Sequence, residues 1–257
     1  MLRFKSLGSG SSGNATVIEA GGLTPLRLLV DCGLGIRQLQ VRLAEAGLQA
    51  EDLHAIFITH EHGDHIGCAR ALSLRYRIPV WMSRGTYAAL GSPDFEGLLN
   101  FARDGHRIDL GGIELMPFAV PHDAREPLQI SCTDGSAKLA VVTDLGHATP
   151  HVLKHLSACD ALVLECNHDS DMLAGSPYPH FLKRRVGGDL GHLSNEAAAA
   201  IAAEVCHPKL KHLVAAHLSR QNNLPGLART SMATALGCAE GEIVIADPSR
   251  GTPWLRA

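Results

Sequence analysis

Ala55-Ile56-Phe57-Ile58-Thr59-His60-Glu61-His62-Gly63-Asp64-His65 is the stretch on which the reading of this chain turns. The run over residues 54–58 is short, apolar and rich in β-branched and aromatic side chains, the pattern of a buried strand. It leads straight into four groups with metal-ligand chemistry. In an extended segment, residues two apart project to the same side, so His60 and His62 can grip one cation together. Asp64 and His65 are adjacent, must diverge, and suit a second cation beside the first. Imidazole nitrogen with carboxylate oxygen and no thiolate fits Zn²⁺ or Mn²⁺ in an open, catalytic type of site. The chain holds 15 histidines in 257 residues. Even so, H-x-H-x-D-H would arise by chance in only about three such chains per thousand on composition alone.

Outward from this cluster, apolar runs alternate with helical spacing. Leu26 to Val30 reads as a buried strand ending at Asp31-Cys32-Gly33, and Ile36 to Ala46 as a helix stopped by Gly47. A helix is expected to open at Ile66. Further strands are expected over 78–82, 113–120, 139–143, 161–164, 213–216 and 243–246, and a helix over 195–205 with Ser194 as N-cap. The chain also loosely repeats itself. Leu28-Leu29-Val30-Asp31-Cys32-Gly33 resembles Val141-Val142-Thr143-Asp144-Leu145-Gly146, and residues 55–60 resemble 161–166. Two strand–helix–strand halves, each delivering polar residues at strand ends, predict two stacked sheets flanked by helices. No linker or composition break interrupts residues 1–257, so one domain is expected.

Bulk properties narrow the function. With 46% hydrophobic residues and 4% aromatic, Leu, Val, Ile and Ala must fill the core. A net charge of −3 excludes a long-range positive field that would coat nucleic acid regardless of sequence, though not a local basic rim. The seven scattered cysteines lack a C-x-x-C pair, which reads as free thiols in a reducing compartment. With no signal-peptide pattern and no apolar run long enough to span a bilayer, the expected address is the cytoplasm.

Four ligands cannot complete two cations. His122 follows one predicted strand, Asp144 ends another, and His217 ends a third. A carboxylate at Asp144 can bridge two cations, one on each oxygen. This ordered set, with Thr59 before it, resembles the ligand pattern of the metallo-β-lactamase superfamily. The resemblance implies an α/β fold, a four-layer αββα sandwich of two mixed sheets flanked by helices. It implies two divalent metal ions, Zn or Mn. His60, His62 and His122 would hold the first, Asp64, His65 and His217 the second, and Asp144 would bridge them. Asp31 would orient the ligand loop from behind.

Two metals close together activate water and clamp attacking and leaving oxygens, the logic of phosphodiester hydrolysis, although lactones, thioesters and β-lactams yield to the same centre. His192, in Gly191-His192-Leu193-Ser194-Asn195, precedes a helix N-terminus, where free N–H groups and the dipole can seat phosphate. It could protonate a leaving alkoxide. Lys183-Arg184-Arg185 lies close by in sequence and could track a phosphate backbone. These features also resemble ribonuclease Z and, more closely, the compact YycJ-like (WalJ-like) group of exonuclease-type enzymes. The resemblance rests on Ser9-Gly10-Ser11-Ser12-Gly13-Asn14, Glu165-Cys166-Asn167-His168-Asp169, the His192 segment and His217-Leu218-Ser219. Ser11, Asn14, Asn167, His168 and Ser194 join the basic trio as candidate substrate contacts.

The stretch from Asp144 to His217 is too short for the large inserted domain of RNA-cleaving relatives. The expectation is therefore a bare-core phosphodiesterase, a 5′-directed exonuclease on DNA. A metal-bridging hydroxide would attack phosphorus, with Asp64 assisting deprotonation and His192 as acid. A lactonase, thioesterase or cyclic-phosphodiester hydrolase of the same fold is the alternative, and a metal-bearing sensor a third reading. Cleavage polarity, native metal and oligomeric state stay open.

Overall fold

The computed structural model describes residues 1–22 and 24–257. Its strands are β1 (Leu2–Gly8), β2 (Ala15–Ala20), β3 (Leu26–Val30), β4 (Ala55–Phe57), β5 (Val80–Met82), β6 (Leu99–Phe101) and β7 (Ile108–Asp109). They continue with β8 (Glu114–Ala119), β9 (Leu128–Thr133), β10 (Lys138–Val142), β11 (Ala161–Glu165), β12 (His212–Ala216), β13 (Val244–Ile245) and β14 (Leu255–Arg256). They form two seven-stranded sheets, ordered β14-β1-β2-β3-β4-β5-β6 and β13-β12-β11-β10-β9-β8-β7. The helices are α1 (Ile36–Glu45), α2 (Gly63–Ile66), α3 (Ala69–Tyr76), α4 (Arg84–Ala89), α5 (Pro150–Leu156), α6 (Ser170–Gly175), α7 (His180–Val186), α8 (Asn195–Val205) and α9 (Pro225–Leu236).

Strand alternation sorts the apolar side chains into three layers. Leu28, Val30 and Phe57 of the first sheet meet Leu115, Ile130, Val141 and Val163 of the second in the central layer. Leu29, Ile56 and Val80 turn the other way, onto Leu39 and Leu43 of α1 and Leu72 of α3. Ala140, Val142 and Leu164 turn onto Val152 of α5, Ile201 of α8 and Met232 of α9. This is the expected αββα sandwich. The internal repeat has a counterpart in the pairing. β1-β2-β3 and β8-β9-β10 are antiparallel, and each is continued by parallel strands, β4 to β6 and β11 to β13.

Because β3, β4, β8, β10, β11 and β12 all run the same way within their sheets, their C-terminal ends open on one edge of the sandwich. That edge collects Asp31, His60, His122, Asp144, Glu165 and His217. Three differences from the sequence reading stand out. The helix expected at Ile66 begins at Gly63, and it breaks at Gly67, whose φ is +29°, before α3 starts. Asp64 and His65 therefore sit in a helical turn and not in an extended loop. Residues 180–186 form α7, although Pro179 and the following glycines punctuate the stretch like a loop. Strands β1, β2, β6, β7, β9 and β14 were not read, several of them being short or carrying polar residues.

Candidate metal centre

The ligand loop is built from behind. Asp31 closes β3 with φ +59°, a left-handed conformation that is costly for a residue with a side chain. Its buried carboxylate accepts from the Thr59 amide at 2.9 Å, the Thr59 hydroxyl at 3.0 Å and His65 Nδ1 at 2.7 Å. Two glycines allow the close approach. A Cβ on Gly33 would lie 1.7 Å from the Asp64 carbonyl oxygen, and one on Gly67 would lie 2.4 Å from that of Cys32.

His65, His122 and His217 each spend Nδ1 on such support and turn Nε2 inward, whereas His62 turns Nδ1 inward. His65 Nδ1 donates to Asp31, His122 Nδ1 to the Gly191 carbonyl at 3.0 Å, and His217 Nδ1 to Glu165 Oε1 at 2.9 Å. With Nδ1 committed in this way, the facing Nε2 atoms are the ones left to hold either a proton or a cation. His60 Nε2 lies 3.0 Å from His62 Nδ1, which lies 3.3 Å from His122 Nε2. A tetrahedral cation with Zn–N bonds near 2.05 Å separates its ligands by roughly 3.3 Å. On the other side, Asp64 Oδ2 lies 3.3 Å from His217 Nε2 and 3.6 Å from His65 Nε2.

Asp144 Oδ2 is buried 2.8 Å from His65 Nε2, yet out of line for a hydrogen bond, and so has no hydrogen-bond partner. A lone pair facing a carboxylate oxygen is repulsive unless a cation or proton sits between them. The donor set fits divalent ions.

Electrostatics agree. Burial disfavours charge on His217, but Asp144 together with Asp64 and Glu165 lifts it to about 10. His65, likewise buried, is lifted to about 10 by Asp144 and Asp31. Burial lowers His60 and His122, which face other imidazoles. In the metal-free state, protons compensate the carboxylates where cations would.

A family model described as a beta-lactamase superfamily domain matches residues 26–217. The chain belongs to the beta-lactamase superfamily. Within it, the hydrolase is 36% identical to exodeoxyribonuclease YycJ of Bacillus anthracis, covering 91% of this chain and 89% of that protein. It is 32% identical to exodeoxyribonuclease WalJ of Streptococcus pneumoniae, covering 93% and 90%. The crystal structure of YhfI from Bacillus subtilis, a metallo-beta-lactamase fold protein, superposes with a TM-score of 0.78 at 18% identity, covering 100% and 99% of the two chains. The protein is a metal-dependent hydrolase of the metallo-β-lactamase fold.

In this hydrolase the sequence reading missed one central group, Glu165. Fully buried at the end of β11, its Oε1 accepts from His192 Nδ1 at 2.8 Å and from His217 Nδ1 at 2.9 Å. Its Oε2 accepts from the amides of Leu145 and Leu193 at 2.9 and 3.1 Å. Glu165 thus does for His192 and His217 what Asp31 and Thr59 do for His60 and His65. The signal was present, since a carboxylate ending an otherwise apolar buried strand needs several donors. His192 stands beside the cluster with Nδ1 also 3.2 Å from Asp144 Oδ1. Burial opposes its charge, but Glu165 and Asp144 raise it to about 11.

Other candidates fall differently. At the start of α8, Ser194 Oγ accepts from the Ala197 amide, and the Asn195 amide donates to the His168 carbonyl. The expected phosphate seat there is largely closed, because its N–H groups are already used. Asn14 is buried beneath the loop, its amide nitrogen 3.3 Å from the Asp64 carbonyl and 3.1 Å from His65 Nε2. Asn167 donates to the His217 carbonyl at 2.9 Å. Both shape the site from underneath and do not face its opening. His168 is buried with Nδ1 lacking a partner, and Ser11 is exposed at the tip of its turn. In that turn it is Ser9 whose hydroxyl meets the His217 amide, at 2.8 Å.

Within α7, Lys183 reaches back to the Ala174 carbonyl, Arg184 is exposed, and Arg185 pairs with Asp123 at 2.5 Å. Asp123 Oδ1 is 3.4 Å from His122 Nε2, so Arg185 stands on the rim of the centre. Among the described residues, no helix is long and apolar enough to cross a membrane.

Proposed function

We propose that this hydrolase is a dinuclear phosphodiesterase that removes nucleotides from DNA, working from a 5′ end. The observation that carries this reading is His192. It stands beside the ligand set without belonging to either proposed metal triad, held through Nδ1 by a buried carboxylate, with Nε2 left to serve a substrate. The near-full-length similarity to proteins named exodeoxyribonuclease supports nucleic acid as the substrate class.

His60, His62 and His122 would hold one divalent ion and Asp64, His65 and His217 the other, with Asp144 between them. When bound, such a pair acidifies water and clamps the oxygens of an in-line displacement. Without metal, His217 and His65 hold the Asp64 carboxyl low despite burial; with a cation in place of their protons it would stay anionic and could accept a proton from the attacking water. His192 holds a proton at Nδ1 against Glu165 and presents Nε2 to the leaving oxygen. Glu165 keeps that imidazole charged and oriented. Asp31 and Thr59 hold the ligand loop while charge moves.

The substrate path runs along α7. This helix buries none of its residues, and Phe181 is 67% exposed, one helical turn before Arg184 and Arg185. An exposed ring beside two guanidinium groups at the rim suits a base stacked on Phe181 and phosphates beside the arginines. Lys183, tied to Ala174, is the weakest member of the trio.

Elemental analysis of protein reconstituted with Zn²⁺ or Mn²⁺ should approach two equivalents per chain. A ceiling of one would remove the two-metal mechanism. Substrate class is tested with a panel of bis-p-nitrophenyl phosphate, 5′- and 3′-labelled DNA and RNA oligonucleotides, a lactone and a thioester. Turnover confined to the last two would replace the phosphodiesterase reading.

For α7, Arg184→Ala with Arg185→Ala should raise the oligonucleotide KM severalfold while sparing the small diester. Each lost single-strand phosphate contact should flatten the log–log salt dependence by about 0.7 units. Equal loss on both substrates would instead mark a folding defect.

A further inference from the structure

Cys32 and Cys68 take no part in the centre described above, yet they lie against it. Their sulfurs are 3.4 Å apart, the only sulfur–sulfur hydrogen bond among the described residues. Cys32 follows Asp31 and is fully buried, while Cys68 precedes the first turn of α3 and is partly exposed. The backbones are laced together as well. The Cys32 amide donates to the His65 carbonyl at 2.7 Å, and the Cys68 amide donates to the Cys32 carbonyl at 3.0 Å. One cysteine is thus joined to the residue that orients the ligand loop, and the other lies three residues beyond the ligand His65.

We propose that Cys32 and Cys68 are a reversible oxidation site at which a peroxide converts two thiols into a disulfide and thereby loosens the hold on metal. Cys68 is the sulfur a small oxidant can reach. The hydrogen bond from Cys32 lowers its pKa against the effect of burial, which favours the nucleophilic thiolate. Its sulfur attacks one peroxide oxygen, the O–O bond breaks, and hydroxide leaves to become water, so Cys68 becomes a sulfenic acid. The Cys32 sulfur then loses its proton and attacks the Cys68 sulfur. The S–S bond forms, the S–O bond breaks, and a second water departs. Two thiols have given two electrons to one peroxide. A dithiol reverses the change by exchange.

The geometric consequence follows from bond length. A disulfide is about 2.05 Å long, so the sulfurs must close by about 1.4 Å. Gly33 and Gly67 already bring the backbones to contact, which leaves little slack to absorb the movement. The strain falls on Asp31 and on the segment from Asp64 to Cys68. Disturbing such supporting groups typically costs 10–100-fold in metal affinity.

The test uses full-length protein loaded with Zn²⁺, which has no redox chemistry of its own. After hydrogen peroxide and alkylation of remaining thiols, non-reducing peptide mapping should recover a Cys32–Cys68 linkage that dithiothreitol removes. Competition with a chromophoric chelator should show zinc held at least about tenfold more weakly in the oxidised protein. Cys68→Ser should form no linkage and keep its zinc under the same treatment. Cys32→Ala should stop Cys68 at the sulfenic stage, which dimedone would label. A Cys68 that remains thiol, or that pairs with another cysteine, would overturn the site. Equal zinc loss from wild type and Cys68→Ser would overturn the coupling to metal. Neither readout depends on what the enzyme cleaves.

Discussion

His192→Ala should retain both metals and lose about 10²–10⁴-fold in phosphodiester turnover, the usual worth of a positioned general acid. The residue belongs to neither proposed metal triad, and its removal leaves the Nδ1 partners of His65, His122 and His217 in place. The pH profile carries a second signature. The buried Glu165 carboxylate, which belongs to neither proposed metal triad, raises His192, so the acid form is favoured at neutral pH and lost as pH rises. Wild-type kcat should therefore decline on the alkaline side, and the variant should lose that limb. The measurements are kcat on bis-p-nitrophenyl phosphate across pH and metal content on the same samples. Loss of metal together with activity would make His192 structural and remove it from the chemistry.

Glu165→Gln should be the more damaging change despite its small size. All four donors around Glu165, two imidazole Nδ1 groups and two amides, point at oxygen. An amide side chain can offer only one oxygen, so its NH₂ must face two donors whichever way it turns. A buried donor left unsatisfied costs about 1–3 kcal/mol. Two functions fail together. His217 loses the partner that fixes its tautomer, which should weaken metal binding by about 10–100-fold. His192 loses the charge that keeps it protonated, which should remove most of its catalytic contribution. Chelator competition alongside kcat separates the two effects. Full metal affinity with reduced kcat would confine the role of Glu165 to His192, whereas an unchanged enzyme would show that neither histidine depends on it.

The sandwich was legible because alternating apolar strands and strand-end polar groups are written in the local sequence. The gathering of His60, His62, Asp64 and His65 at one edge was legible because few uses other than holding cations explain those residue types at that spacing. Glu165 was harder to see. Its partners His192 and His217 come from distant stretches, and its role exists only once β11 and β12 lie side by side. The opposite error occurred at α8. Ser194 does cap the helix, as read, but the cap takes the Ala197 N–H and the His168 carbonyl takes that of Asn195, two of the groups expected to bind phosphate. Asn14 likewise looked like a substrate contact, because a Gly- and Ser-rich turn gives no hint that its asparagine will be buried beneath the ligand loop.

Because His60, His62, Asp64 and His65 come from one sheet and His122, Asp144 and His217 from the other, each bound ion would act as a rivet across the sandwich. Between the sheets, the central layer is held by apolar contact, which resists separation but has little directional grip against sliding. Ion coordination is directional and would fix the register of one half against the other at the edge where chemistry occurs. Metal loading would then be part of the folding energy of the whole molecule, so that losing the ions frees shear between the halves. The precision of the reaction edge would thus be borrowed from the ions it holds.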